Sequence, residues 1–380
     1  ETGVVLLGTG YARAEVWPLQ PTKPVAKENV PFAQRVDPEV DRQMRSMEWR
    51  CVGPFMGNRG CAVEMHPTDR SVFYHAHSSG GVWKTEDAGQ FWVPITDGQI
   101  NVGSVGAIAV SRSKPDVIYI GTGEPQLRDC VSWGDGVYKT IDGGDTWKHV
   151  GLKETRNISR VRIHPENADL VYVAAIGSPF GPSKDRGIYR SKDGGQTWEQ
   201  IFFKHQQAGV IDLVMCDHDP SILYASTFEV FRRTWGLDAG GPNSGIFKST
   251  DSGDTWEEIT RNPGLPSDDL GRIGLAHSQD KPNRISALID SKEKNGLYQS
   301  EDGGKTWKWL TNHVGITQRP FYYYHLHATP HDGDELWVAS NKLWQSLDGG
   351  KTWKQRSGTK DDFHDIKFDP NDKDRMIVTH

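Results

Sequence analysis

Long hydrophobic runs are missing from this sequence. No stretch reaches the roughly 18 apolar residues that a membrane-spanning helix needs. Cysteine is scarce, with 4 in 380 residues. No two of Cys51, Cys61, Cys130 and Cys216 stand at the two-residue spacing of zinc sites, which argues against a sulfur-held metal. Charge of one sign gathers nowhere: 44 Lys and Arg face 50 Asp and Glu, for a net −6. That excludes the basic footprint of a nucleic-acid binder. Walker and Rossmann glycine patterns, a His-Glu-x-x-His helix and a Gly-x-Ser-x-Gly elbow are also absent. No cofactor is expected.

What is present is repetition. Six segments share a Gly, an apolar pair, polar residues and then x-Asp-x-Gly-x-Thr-Trp. Their aspartates are Asp87, Asp142, Asp193, Asp251, Asp302 and Asp348, each followed five residues later by Trp92, Trp147, Trp198, Trp256, Trp307 or Trp353. The spacings of 55, 51, 58, 51 and 46 residues between those aspartates match one four-stranded propeller blade. The motif is structural. The Asp accepts hydrogen bonds from the turn it opens, the Gly supplies a positive φ, and the Trp buries its ring between blades. Before each box comes a strand, a Pro- or Asp-rich turn and a second strand, as in Met65-His66-Pro67 leading to Phe73-Tyr74. Each blade then has strands A to D from the centre outward, with the box at the C–D turn.

The fold class is therefore all-β: a seven-bladed β-propeller, with six complete Asp-box blades and a seventh built from both termini. Residues 363–368 and 376–379 read as strands A and B of that last blade. Its strand D is expected from residues 48–55, and its strand C is expected to be missing where the chain stops at His380; the alternative is that residues 4–7 fill the gap. The propeller spans residues 45–380 and is expected to be cut within its last blade, as part of a longer chain. Residues 1–44 form an N-terminal extension. Within it, residues 4–7 followed by Ala12-Arg13-Ala14 read equally as the tail of a secretory signal or as a first strand. Cys51 and Cys61 flank a turn-rich loop that a disulfide would close, and Asn157-Ile158-Ser159 marks Asn157 as a glycosylation acceptor. Both point to a secreted, cell-surface or periplasmic protein.

These boxes resemble the BNR or Asp-box repeats of sialidases, xyloglucanase-like glycoside hydrolases and sortilin-type receptors. The nearest likeness is to secreted sortilin-like or BNR-repeat "glycosyl hydrolases", through Trp49-Arg50-Cys51-Val52-Gly53-Pro54, Gly81-Val82-Trp83-Lys84-Thr85 and Gly121-Thr122-Gly123-Glu124. The likeness is specific for fold and weak for function, because such blades host several activities.

In a propeller the A–B and C–D turns share one face, and the B–C and D–A loops the other. Long irregular loops, expected at residues 124–135, 177–186 and 228–244, put the binding site on the second face. Its expected ligand-binding residues are Glu124, Arg128, Trp133, Asp135, Arg160, Arg186, Arg232, Arg233, Trp235, Arg272, Arg319 and Tyr323. Arginine forks beside aromatics suit carboxylates, phosphates or sugars. No catalytic residue is assigned. A sialidase-like site needs convergent arginines, a Tyr nucleophile paired with a Glu and an Asp, and the Arg-Ile-Pro motif of sialidases is absent. Resemblance to xyloglucanases implies a catalytic Asp just before Gly80-Gly81, where Ser78 stands instead. His75-x-His77 and His325-x-His327, with His331 and His364 in reach, have a spacing that can chelate a metal, but read better as half-buried strand histidines. The expectation is a ligand-binding or assembly propeller for peptides or glycans, the alternative being a glycoside hydrolase.

Overall fold

The computed structural model describes residues 3–6 as backbone, and residues 58–356 and 361–380 in full. The described residues contain no α-helix, only strands and one 3₁₀ turn, Lys153–Thr155. Six antiparallel sheets each run in chain order from an inner to an outer strand, and a seventh sheet has three strands. The inner strands are Gly60–Met65, Val105–Val110, Ile158–His164, Ala208–Met215, Ile273–His277, His325–Ala328 and Asp365–Phe368. Each lies beside the inner strand of the following sheet up to the sixth sheet, and Asp365–Phe368 lies beside Gly60–Met65. The result is a β-propeller.

Apolar side chains sit between sheets rather than in one central core. Tyr74 and Val82 of the first sheet meet Ile108, Ile118 and Trp147 of the second. Trp337 and Leu343 of the sixth meet Phe363 and Met376 of the seventh, while Ile377 packs on Val63 and Phe73 of the first. Such interfaces bury every residue of Gly60–Met65, Val105–Val110 and Ile273–His277, whereas Ile158–His164, His325–Ala328 and Asp365–Phe368 each keep partly exposed residues.

The boxes explain how each outer hairpin is made. Asp302 Oδ1 accepts from Thr306 N at 2.8 Å, and its Oδ2 takes the Thr306 hydroxyl at 2.6 Å. Ser300 Oγ donates to the same carboxylate and accepts from Gly304 N at 2.8 Å. Gly304 has φ +91°, and a Cβ there would sit 2.8 Å from Ile259 of the neighbouring sheet. Trp307 Nε1 returns to Gly304 O at 3.0 Å. The box also fastens sheets together: Tyr224 OH and Lys248 Nζ of the fourth sheet both donate to Gly303 O of the fifth, at 3.1 and 2.8 Å.

Three expectations need revision or fall outside the description. Residues 228–244 are not an irregular loop: Leu223–Arg233 continues past the sheet and pairs with Gly236–Ala239 as a hairpin. The seventh sheet takes Gly3–Leu6 as its third strand, parallel to Arg375–Thr379, the alternative place foreseen for residues 4–7. Residues 48–55, expected as strand D, lie outside the described residues, as do Cys51 and most of the N-terminal extension.

Candidate functional site

On the face of the B–C and D–A loops, the 124–135 loop is organised by one buried carboxylate. Gly123 turns the chain out of the sheet at φ +88°, where a Cβ would meet Arg156 O at 2.1 Å. Glu124, fully buried, pairs with the Arg59 guanidinium, takes Arg128 Nε at 3.4 Å and accepts from Ser132 N at 3.3 Å. The backbone of the loop is tied down from below, since Asn157 Nδ2 donates to Glu124 O at 2.8 Å and Ser132 O at 3.0 Å.

The loop entering the sixth sheet presents three successive tyrosines. Arg319, at φ +45°, accepts at its carbonyl from the backbone N of Tyr322 and Tyr323, whose rings meet edge to face with centroids 4.9 Å apart. Tyr322 OH lies 3.0 Å from His364 Nε2, and His364 Nδ1 lies 2.8 Å from Gly60 O. A carbonyl only accepts, so Nδ1 carries a proton toward Gly60 O, while Nε2 lies between the Tyr322 hydroxyl and Asp362 Oδ1, the latter 3.5 Å away. Tyr323 OH donates to Asp362 Oδ1 at 2.5 Å. Against the opposing effect of burial, His364, Tyr323 and Arg59 hold Asp362 down at about 2. Tyr324 OH turns the other way and donates to Asn295 Oδ1 at 2.6 Å. Behind them Arg272 donates to Tyr322 O at 3.1 Å, and burial with the nearby Arg160 charge lowers its guanidinium to about 9.

Beside Tyr324 stand two aspartates in opposite states. Asp290, at the end of Ile285–Ile289, lies against Gly271, where a Cβ would be 2.0 Å from its Oδ2. Burial and then the Asp268 charge raise Asp290 to about 6. Asp268 itself is held below its usual value despite burial, because Ser291 Oγ donates to it at 2.7 Å and Lys292 N at 2.7 Å. A carboxyl raised beside a carboxyl lowered is the kind of pairing that sets an acid apart from its neighbour.

The residues expected from sequence divide into three groups. Glu124, Asp135, Arg186, Arg272 and Tyr323 are buried. Of these, Arg186 donates to Gln207 O, Ser178 O and Gly181 O, pinning the 177–186 loop from inside, and Asp135 takes Tyr138 OH and Asn101 Nδ2. Four are engaged with other protein groups: Arg128 with Glu124, Arg232 with Asp129 and Arg128 O, Arg233 with Asp238, and Arg160 with Asp212 inside the ring. Trp133, Trp235 and Arg319 remain open to solvent. Trp133 is backed by Arg156, 4.8 Å from its ring. Arg59, Asp268, Asp290 and Asp362 escaped the sequence reading; their partners lie far along the chain, and no local spacing marks them.

Asn157 is only 2% exposed, and the amide nitrogen that would carry a glycan already serves two carbonyls. The folded protein leaves no room for that modification. Cys61 is a buried free thiol whose proposed partner lies outside the described residues; Cys130 and Cys216 are also free, one exposed and one buried. His75, His77 and His325 are buried on their strands. Among the described residues no group of three or more His, Cys, Asp or Glu is placed to hold a metal, and no helix is long and apolar enough to cross a membrane.

Comparison with known proteins adds the following. The family model Sortilin-Vps10, described as "Sortilin, neurotensin receptor 3", matches residues 80–201, 135–264 and 186–323. A xyloglucanase of Paenibacillus sp is 25% identical over 394 residues, covering 83% of this chain and 36% of the relative. The chain thus spans about a third of the length of the curated relatives it matches first. Among solved structures, an ancestral GH74 enzyme aligns with TM-score 0.60 and 18% identity, over 82% of this chain and 40% of the other. YCF48 bound to D1 peptide aligns with TM-score 0.57 and 17% identity, over 85% of this chain and 90% of the other. At such identities the structural likenesses establish the propeller fold.

Proposed function

The chain belongs to the Sortilin-Vps10 family, and from that premise we propose that it is a glycan-acting propeller of glycoside-hydrolase type. It takes an oligosaccharide on the face of the B–C and D–A loops, around the 319–324 tyrosines. The observation that carries this reading is the pair Asp290 and Asp268, one raised to about 6 and one lowered, beside Tyr324 on this face. Asp290 is the general acid that protonates the leaving glycosidic oxygen, and burial, with like-charge repulsion from Asp268, favours the form that holds that proton. The curated relatives named xyloglucanases support the substrate class. Trp133 and Trp235 supply flat apolar faces for sugar rings, and Arg128 and Arg319 border the same loops.

A second reading, binding of a glycan or peptide without turnover, is favoured by two residues. Ser78 stands where the xyloglucanase resemblance implies a catalytic carboxylate, and it is buried. Glu124, the most arginine-rich carboxylate of the face, has its oxygens engaged by Arg59, Arg128 and Ser132 N and is closed to solvent.

Incubation with xyloglucan oligosaccharides, read by product chromatography, and calorimetric titration with the same sugars separate the two. Hydrolysis by the wild type that falls at least about a hundredfold in Asp290→Asn, with sugar affinity kept, supports the enzyme; general acid catalysis contributes about that much. Binding without products leaves the second reading. Neither binding nor products from these sugars would overturn the glycan assignment.

A further inference from the structure

A cavity of about 310 Å³ follows the axis between the seven inner strands. It is lined at one end by His66, Arg112, Asp217 and Gln279, all from the A–B turns, so it opens on the face opposite the tyrosines. Its wall carries charges of both signs, and the acidic ones are all engaged. Asp212 receives Arg160 Nε at 2.9 Å and Leu275 N at 3.0 Å. Asp365 Oδ2 accepts from Val63 N at 3.1 Å. Glu64 pairs with Lys367 at 2.7 Å, and Asp217 with Arg112 at 2.8 Å.

The basic side is not balanced in the same way. Arg162 lines the cavity one pleat along the strand from Arg160, and its hydrogen bond goes to the carbonyl of its own neighbour, Val161, at 3.1 Å. No carboxylate of the described residues forms an ion pair with it. A guanidinium has five N–H donors, and the carboxylates of Asp212, Asp365 and Glu64 act on this one only through space while their hydrogen bonds go elsewhere. Burial and the Arg160 charge disfavour its charged form. A second group in the same wall is also incomplete. His327 Nε2 is buried without a hydrogen-bond partner, and Asp365 Oδ1 stays 3.7 Å away. One pleat further, His325 is 1% exposed with neither ring nitrogen partnered. Burial and the surrounding cations keep both imidazoles neutral in the physiological range, with His327 near 4.

We propose that this axial cavity is a binding site for a small oxyanion, a carboxylate or phosphate, held by the fork of Arg162 and by a neutral imidazole N–H of His327. A planar guanidinium grips two oxygens of such an anion at once. The ligand supplies the directly bonded acceptors that Arg162 and His327 lack, while the neighbouring carboxylates keep their own partners. The mouth among the A–B turns separates this site from the tyrosine face, so the assignment stands independently of any glycan chemistry there.

The test is isothermal titration of the whole chain with sodium phosphate and, separately, with sodium malonate, in low-salt buffer. Sodium chloride at matched ionic strength is the control for screening. One of the two oxyanions is expected to bind at one per chain and to raise the melting temperature, with the stronger of the two naming the source. Arg162→Gln should weaken that binding at least tenfold, and Arg162→Lys, which keeps the charge and loses the fork, should weaken it as well. Should Arg162→Gln not fold, Arg162→Lys and His327→Gln decide. Absence of binding by both oxyanions, or titration of the variants like wild type, overturns the proposal.

Discussion

Arg160 and Asp212 face each other from adjacent inner strands, with Arg160 Nε donating to Asp212 Oδ1 at 2.9 Å. Asp212 Oδ2 accepts from Leu275 N, so one carboxylate joins the third, fourth and fifth sheets. It also offsets burial and the Arg160 charge, which together lower Arg162 and Arg272 in the same wall. Removing one member of a buried pair costs about 3–5 kcal/mol because the survivor is left uncompensated. Asp212→Asn should therefore lose about that much in urea denaturation. The double variant Arg160→Met, Asp212→Leu should recover part of the loss. A loss under about 1 kcal/mol in the single variant would contradict the role given to this pair.

The Asp boxes predict how the protein responds to acid. Thr and Ser hydroxyls and the turn amides hold Asp142, Asp193, Asp251 and Asp302 at about 2, below the ordinary 3.8. A carboxylate with a depressed folded-state value contributes stability that is complete above its unfolded value and is lost as pH falls through the folded one. The urea midpoint should thus hold above about pH 5 and fall steeply between about pH 4 and 2. Asp302→Asn should lower the midpoint at neutral pH and flatten that slope. An unchanged slope would mean that the turn bonds survive protonation. These groups are open to water, so each share is small and the effect is collective.

The same boxes explain why so much of the fold was legible. A motif that closes its own hairpin within seven residues needs no distant partner, and a repeat of it counts the sheets. The channel and the loop face are different in kind. His364 finds Gly60, 304 residues away, and Arg59 finds Glu124 across 65 residues. Nothing in a local pattern announces such pairs. The 223–239 hairpin was hidden for another reason: Arg232, Arg233 and Thr234 interrupt the apolar alternation at the hairpin tip, beyond the blade sheet. Single arginines looked alike in sequence, yet Arg186 is an internal clamp and Arg160 a channel ion pair. Burial, which distinguishes them, is a property of the ring and not of the segment.

Asn157 gives a prediction about modification. Its side chain holds the 124–132 loop to the third sheet through two bonds to carbonyl oxygens. Protein secreted from a glycosylating host should carry no sugar at this position, as read by peptide mass spectrometry before and after deglycosylation. Asn157→Ala should cost about 1–3 kcal/mol by leaving buried acceptors unsatisfied. Full occupancy of the sequon would require the loop to open during maturation, and would remove Glu124 from the arrangement described.

Trp235 stands at the opposite extreme from the buried arginines. It is 82% exposed at the tip of a hairpin that is itself anchored, since Arg232 donates to Arg128 O at 2.9 Å and pairs with Asp129. An indole held out into water on a fixed support gains nothing for folding, because it buries almost no area. Surface substitutions of this kind change stability by less than about 0.5 kcal/mol. Trp235→Ala should therefore leave the denaturation midpoint in place. If the loop face receives a sugar chain, the same change removes a stacking surface and should weaken oligosaccharide affinity by about tenfold, or about 1.4 kcal/mol. Trp133→Ala should act in the same direction, with a further loss from the Arg156 contact behind it. The informative comparison is Arg232→Ala, which keeps both indoles and frees the hairpin. An affinity loss there, without loss of either ring, would place the effect in the rigidity of the support. Equal affinity in all three variants would exclude this side of the face from ligand contact.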